Sequence, residues 1–332
     1  MGTRQPLAGT SLSGSLYLFC TLQSEGQMSS SNSKNYFGLS EDYSSRDNSR
    51  VAIVPVPYEA TTSYGKGTKD GPSAILEASQ QVELFDDELW IEPFKIGIHT
   101  MEAVQVEAAT SETKSEDAFS GLADSIKPLI HSDKFPILLG GEHSLTLGGV
   151  KGCLEKYPNL SVLQIAAHSN LRSSYEGNSH SHASVGFQVY KALANPAMTQ
   201  VGIRNISWEE VAWMEEEEPN ISIFWARNQN KWDVSEIINT LSNDVYLSIS
   251  VDALDCGVMP ATGAPEPGGI DWYQLMEVIK LVCVRKNVVA ADITELSPIK
   301  GLHAPNFLAA KLLYKLIGYR FALDLGVTKK YL

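Results

Sequence analysis

The sequence predicts an α/β fold, a parallel sheet with helices on both faces. Three observations predict it. Short apolar runs rich in β-branched residues recur along the chain. Longer amphipathic segments alternate with them. Polar residues collect just past the ends of four of the runs.

The runs, in order, are "VAIVPV", "FKIGI", "FPILLG", "LSVLQIAA", "QVGIR", "ISIFW", "VYLSISV" and "NVVAADIT". They are nearly continuous rather than alternating, the pattern of strands buried on both faces. Between them lie "PSAILEASQQVELF", "DAFSGLADSIKPLI", "SLTLGGVKGCLEKY", "SWEEVAWMEEEE", "DWYQLMEVIKLVC" and "APNFLAAKLLYKLIGY". In the first of these, Pro72 follows Gly71 in a first-turn position, where its missing N–H costs nothing. Strand–helix alternation of this kind gives parallel strands joined by crossovers.

Residues 1–50 differ in composition. They are rich in Ser, Gly and Asn, poor in aliphatic residues, and are expected to be a disordered or leader segment. The apolar stretch from Leu16 to Leu22 lacks a strongly basic lead-in and a small-residue cleavage site, and is not read as an export signal. Met28 offers an alternative start. Residues 51–332 are expected to form a single domain.

Composition excludes several partners. The chain has 332 residues and a net charge of -13, which argues against nucleic acid and anionic membranes. No run approaches the ~18 apolar residues of a membrane span. The four cysteines, Cys20, Cys153, Cys256 and Cys283, form no CxxC pair and read as free thiols of a reducing compartment, the cytoplasm. Neither GxGxxG after the first strand nor GxxxxGK[ST] is present, so nucleotide binding is not expected.

In parallel sheets, functional groups gather at the carboxyl ends of the strands. Past "FPILLG" come Glu142 and His143. Past "LSVLQIAA" come His168 and Asn170, then His180 and His182. Past "VYLSIS" come Asp252 and Asp255, and past "NVVAAD" comes Glu295. One such histidine is more often a hydrogen-bonded loop residue than a ligand. Four strand ends together point to a present or former site.

"GGEHS", "AHSNLRSSYEGNSHSHAS", "SISVDALDCGVMPATGAPEPGG" and "DITELSP" resemble the signatures of the ureohydrolases, the family of arginase and agmatinase, with bacterial agmatinases closest. "PYEATTSYGKGTKDGPSAI" and "VGIRNISWEE" agree. The resemblance implies the arginase-type fold, an eight-stranded parallel sheet between helical layers, usually assembled as a trimer or hexamer. It also implies two manganese ions held by six side chains. His143 matches the histidine of the family's GG(D/E)HS pattern. The DAHxD pattern is here Ala166-Ala167-His168-Ser169-Asn170, where only the histidine remains. The SxDxDxxDP pattern keeps the second of its two ligand aspartates, Asp252, while Ser250 stands in place of the first. Ala166, Asn170 and Ser250 are therefore vacated ligand positions, and His143, His168 and Asp252 are remnant ligands. His182 matches the proton-shuttling histidine and Glu295 the acid that pairs with a guanidinium, both as vestiges. Cys256 stands where the pattern has proline.

Manganese depends on anionic oxygen donors, and bridging carboxylates offset the repulsion of two cations roughly 3.5–4 Å apart. One aspartate and two neutral imidazoles do not supply this. The expectation is a non-catalytic or strongly impaired homologue lacking the binuclear cluster, with at most one weakly held divalent metal. It would act as a regulatory or ligand-binding homo-oligomer for a guanidino or amine ligand. The alternative is a guanidino-compound hydrolase on a mononuclear site of two histidines and one carboxylate. Deleting the residues before Met28 is expected to leave the melting temperature unchanged; a large drop would place that stretch against the domain.

Overall fold

The computed structural model describes residues 35–110, 112–114, 117–328 and 332. Its strands are β1 (Val51–Val56), β2 (Ile98–Thr100), β3 (Phe135–Gly140), β4 (Ser161–Ile165), β5 (Met198–Ile203), β6 (Ile221–Trp225), β7 (Asp244–Ser250) and β8 (Asn287–Thr294). They form one sheet in the order β2-β1-β3-β8-β7-β4-β5-β6, and every pairing is parallel. The helices among the described residues are α1 (Glu41–Ser44), α2 (Gly71–Ser79), α3 (Ser120–His131), α4 (Thr146–Leu154), α5 (Val185–Ala192), α6 (Trp208–Glu217), α7 (Val234–Asn239), α8 (Trp272–Arg285) and α9 (Ala304–Phe321). The expected eight parallel strands and two helical layers are all present.

The layers follow from the period of the strands. On β1, Val51 and Ile53 join a core with α2, α8 and α9, while Ala52, Val54 and Val56 join a second core with α3, α4 and α5. Successive side chains face opposite sides of a sheet, so a continuous apolar run feeds both cores at once. The edge strand β6 is only half-buried along its length, unlike the central strands.

Two elements are shorter than expected. The helix over "PSAILEASQQVELF" ends at Ser79. "FKIGI" yields a 3-10 turn, Pro93–Ile96, before β2 begins. Gly97 separates them with φ 82°, and a Cβ there would meet Asn48 O at 2.5 Å. That left-handed corner needs glycine and stops the strand from starting earlier.

Residues 35–50 correct the expectation of a disordered leader. Tyr36 is fully buried, its hydroxyl donates to Ala310 O at 2.7 Å, and its N–H donates to Thr100 Oγ1 at 3.0 Å. Phe37 lies edge-on between the rings of Tyr36 and Tyr314. Aliphatic content misled here, because aromatic rings supply the buried area. Residues 1–34 of that expected segment lie outside the described residues, as does Cys20. The other cysteines are free thiols, as expected. Among the described residues no helix is long and apolar enough to cross a membrane.

Replacing Tyr36 with Ala is expected to lower stability by about 3 kcal/mol in chemical denaturation, the cost of a large core cavity plus an orphaned carbonyl. A change within the error of the extrapolation would mean that this segment contributes no packing.

Candidate functional site

The four strands that end in candidate residues, β3, β8, β7 and β4, are neighbours in the middle of the sheet. Their carboxyl ends open into one cleft of about 230 Å³, lined among others by His143, His168, Asn170, Asp252, His182 and Glu295. Sequence positions from 143 to 295 are brought together by the topology alone.

The loop over this cleft is anchored by Glu142. Its buried carboxylate accepts hydrogen bonds from the N–H groups of Ala60 and Thr61 at 2.7 Å, from Thr61 Oγ1 at 2.6 Å and from Ser144 Oγ at 2.6 Å. Gly141 permits the approach, since a Cβ at that position would come within 1.9 Å of Tyr58 O. Glu142 is therefore occupied with scaffold.

His143 sits in the turn after β3, fully desolvated. Its Nε2 lies 3.0 Å from Ser248 Oγ, and that hydroxyl donates to Asp292 Oδ1 at 2.8 Å. A hydroxyl that donates its proton to a carboxylate can only accept from the imidazole. Nε2 thus carries the proton and Nδ1 presents a lone pair towards the cleft. Facing it at 3.4 Å is Asn170 Nδ2, which has a proton to donate. Burial pushes the His143 pKa down to about 4, so the ring is neutral. Asn170 holds φ 54°, a left-handed conformation that Asn tolerates.

His168 and Asp252 are bonded to each other, Nδ1 to Oδ2 at 3.0 Å. The other carboxylate oxygen accepts from Ala167 N at 3.0 Å. Burial opposes charge on both groups. The shared hydrogen bond outweighs it, raising the pKa of His168 and holding Asp252 well below the usual carboxylate range. On its far side, His168 Nε2 lies 3.9 Å from Glu266 Oε1, which is held by Asn205 Nδ2.

Glu295 follows β8 with φ 68°, a strained conformation for glutamate. Its Oε1 accepts from His143 N at 2.7 Å. It is 8% exposed and forms no ion pair with any described side chain. Burial first, and the charge of Asp252 second, raise its pKa well above the ordinary value. His182 accepts positioning from Thr61, whose Oγ1 receives its N–H at 3.0 Å, and burial lowers its pKa.

The remaining expected positions separate cleanly. Ala166 and Ser250 are fully buried at the ends of β4 and β7. His180 turns away, with Nε2 3.0 Å from Thr113 O. Asp255 supports its own loop by accepting from the N–H groups of Gly257, Gly268 and Gly269. Nothing in the structure explains Cys256.

Sequence reasoning missed Arg204, Asn205, Glu266 and Arg172. Arg204 donates to the carbonyls of Gly202, Asp252, Ala253, Leu254, Glu266 and Pro267. It fastens the loop after β7 to the end of β5. The available signal was a lone arginine directly past the apolar run "QVGI", where a cleft group is expected.

Residues 49–318 match the arginase family. The N(1)-aminopropylagmatine ureohydrolase of Synechocystis sp. is 37% identical over 294 residues, which cover 84% of this chain and 92% of that protein. The agmatine ureohydrolase of Thermoplasma volcanium superposes with a TM-score of 0.76 at 26% identity, covering 88% of this chain and 95% of that one. The arginase of Bacillus caldovelox shares the fold, with a TM-score of 0.68 at 21% identity, covering 81% and 98%.

Arg204→Met keeps much of the side-chain volume and removes all six of these hydrogen bonds. It is expected to destabilise the protein by about 2 kcal/mol, because five partly buried carbonyls lose a donor together. Thermal and denaturant unfolding measure this, and a neutral result would mean that the loop is held by its glycine turns alone.

Proposed function

Because this chain belongs to the arginase family, we propose that its cleft binds the guanidinium or amidinium group of a small ligand on Glu295, and does so without a binuclear manganese cluster. The observation that carries this reading is Glu295 itself. A buried carboxylate without a cationic partner costs stability unless it is matched by a positive group. A planar guanidinium offers two parallel N–H donors to such a carboxylate. The left-handed backbone at Glu295 is a second local cost kept at the same point.

The donor set does not fit two manganese ions. Among the described residues no three His, Cys, Asp or Glu side chains converge as a metal site requires. Of the remnant ligands, His168 engages Asp252 Oδ2 through Nδ1 and Asp252 Oδ1 takes the Ala167 amide, while at the vacated position Asn170 turns an N–H towards the lone pair of His143. Neither Ala166 nor Ser250 supplies an anionic oxygen, and bridging two divalent cations needs such oxygens. The protein is read as a ligand-binding ureohydrolase homologue that is impaired in the family's hydrolysis.

A second reading keeps hydrolysis of a guanidino compound on a reduced, mononuclear site. The names of the relatives favour it, since the ureohydrolase of Synechocystis sp. is similar over most of both chains. His143 and His168 would then have to release their present partners and turn to one point.

Metal content and urea release together separate the two readings, since the second requires one tightly held ion and urea from a guanidino compound. Protein incubated with manganese and then desalted is expected to hold far fewer than two ions per chain and to release no urea from agmatine. Near-stoichiometric binuclear manganese would overturn the proposal. Ligand binding is checked separately. Glu295→Gln, which still accepts from His143 N, is expected to stabilise the free protein by about 1–2 kcal/mol at neutral pH. Methylguanidine is expected to raise the melting temperature of the parent and not of this variant; equal shifts would remove Glu295 from the binding site.

A further inference from the structure

The sheet ends on one side at β6, and nothing among the described residues pairs with its outer edge. Its sequence is "ISIFW", five half-buried residues with neither a charge nor a proline. Met198 N donates to Asn220 O, and Met198 and Gln200 stand opposite Ile221 and Ile223 in the parallel register. In a parallel ladder a residue bonds to the two neighbours of its register partner, so the backbone groups of residues 220, 222 and 224 turn inward. The N–H and C=O of Ile223 and the C=O of Ile221 are left facing outward. Ile221 N already donates to Pro219 O at 2.7 Å. The opposite edge is protected. There β2 is only three residues long, Tyr36 N donates to Thr100 Oγ1, and the His99 ring meets Ser44 O at 2.8 Å. An unpaired apolar edge is a template for another strand, and proteins that leave one open blunt it with lysine or proline.

The charges at the two ends of β6 are of opposite sign. The helix before it, α6, closes with Glu215, Glu216 and Glu217, Glu218 follows, and all four are exposed. Of the other acids of α6, Glu209 and Glu210 lie near Arg172, whereas residues 215–218 enter no ion pair among the described residues. Past the far end of the strand, the turn Ala226–Lys231 carries Arg227 and Lys231, both exposed and also without an acidic partner among the described residues. Arg227 is held in place by Trp225, the last residue of the strand, with its guanidinium 4.3 Å from the ring centre. The edge is therefore acidic at one end, apolar in the middle and basic at the other end.

We propose that β6 pairs antiparallel with β6 of a second copy of this chain about a twofold axis, joining two eight-stranded sheets into one. With Ile223 opposite its own counterpart, Ile221 of one copy stands opposite Trp225 of the other. Each acidic end then meets a basic end, and the twofold axis makes the contact twice. Charge selects both the occupant and the direction. The chain carries 39 acidic against 26 basic residues, so two copies repel in most orientations. Antiparallel pairing sets residues 215–218 against Arg227 and Lys231, whereas parallel pairing sets like charges together. A threefold contact joins different surfaces of neighbouring copies and does not bring two β6 edges together.

Sedimentation equilibrium of the full chain tests this. The parent is expected to form species of even copy number, a dimer or an assembly built from dimers. Two charge variants reverse opposite ends of the edge. One combines Arg227→Glu with Lys231→Glu; the other combines Glu215→Lys, Glu216→Lys, Glu217→Lys and Glu218→Lys. Each alone is expected to weaken self-association at least about tenfold, because like charges then meet at both ends. Mixed in equal amounts, the two variants regain complementary ends and are expected to associate with each other about as tightly as the parent does with itself. Ile223→Pro, which removes the outward N–H at a position where an edge strand tolerates proline, is expected to give monomers. Circular dichroism establishes that each variant is folded. The charge variants change only exposed side chains and carry the test if Ile223→Pro does not fold. A monomeric or trimeric parent would overturn the proposal. So would an even-numbered assembly that both charge variants leave intact, since its contact would then lie elsewhere. Variants that are each weakened and show no recovery on mixing would overturn the antiparallel pairing.

Discussion

The hydrogen bond between His168 and Asp252 is the interaction around which the cleft is organised. A carboxylate at the end of a buried strand needs a positive partner or a set of donors, because the sheet interior offers no water. Here the partner is an imidazole from the next strand, and the second oxygen takes the Ala167 amide. The pair closes β4 against β7 at the point where the sheet would otherwise present an uncompensated charge. Asn170 and His143 repeat the arrangement with neutral groups, an amide N–H facing a ring nitrogen. Donors within the protein meet acceptors within the protein at each of these points.

The surrounding loops are held by three further charged residues. Glu142 gathers two backbone amides and two hydroxyls. Arg204 gathers six carbonyls. Asp255 gathers three glycine amides. Arg204 and Asp255 are charges satisfied by backbone dipoles of the opposite sign, and Glu142 adds two hydroxyls to its two amides. The outer support of His143, through Ser248 and Asp292, sets which ring nitrogen carries the proton. Glu295 is the exception in this balance, a buried carboxylate with a single backbone donor and no ion pair among the described residues.

Much of this was legible in the sequence for a simple reason. A parallel sheet exposes function only at its strand ends, and apolar runs mark those ends directly. The convergence of His143, His168, Asp252 and Glu295 followed from the positions of "FPILLG", "LSVLQIAA", "VYLSISV" and "NVVAADIT". Residues whose importance lies in backbone contacts were not legible, because nothing in the type Arg or Glu says which carbonyls or amides will lie near. Arg204 belongs to that class. Tyr36 escaped notice for a different reason: a polar neighbourhood hid an aromatic anchor whose partner, Ala310, is 274 residues away. His180 and His182 are two residues apart, yet only backbone direction decides that one faces Thr113 O and the other the cleft.

The central claim is that three ligand positions have been vacated on an otherwise intact scaffold, and putting the carboxylates back tests it most directly. The measurement is manganese bound per chain, after desalting, by the Ala166→Asp, Asn170→Asp, Ser250→Asp triple variant beside the parent protein. The account predicts that the triple variant holds manganese, gains thermal stability from it by linkage, and exceeds every single replacement. A triple variant that folds yet binds no more manganese than its parent would contradict the claim, because the strand ends would then not converge on the geometry that the six-ligand set requires.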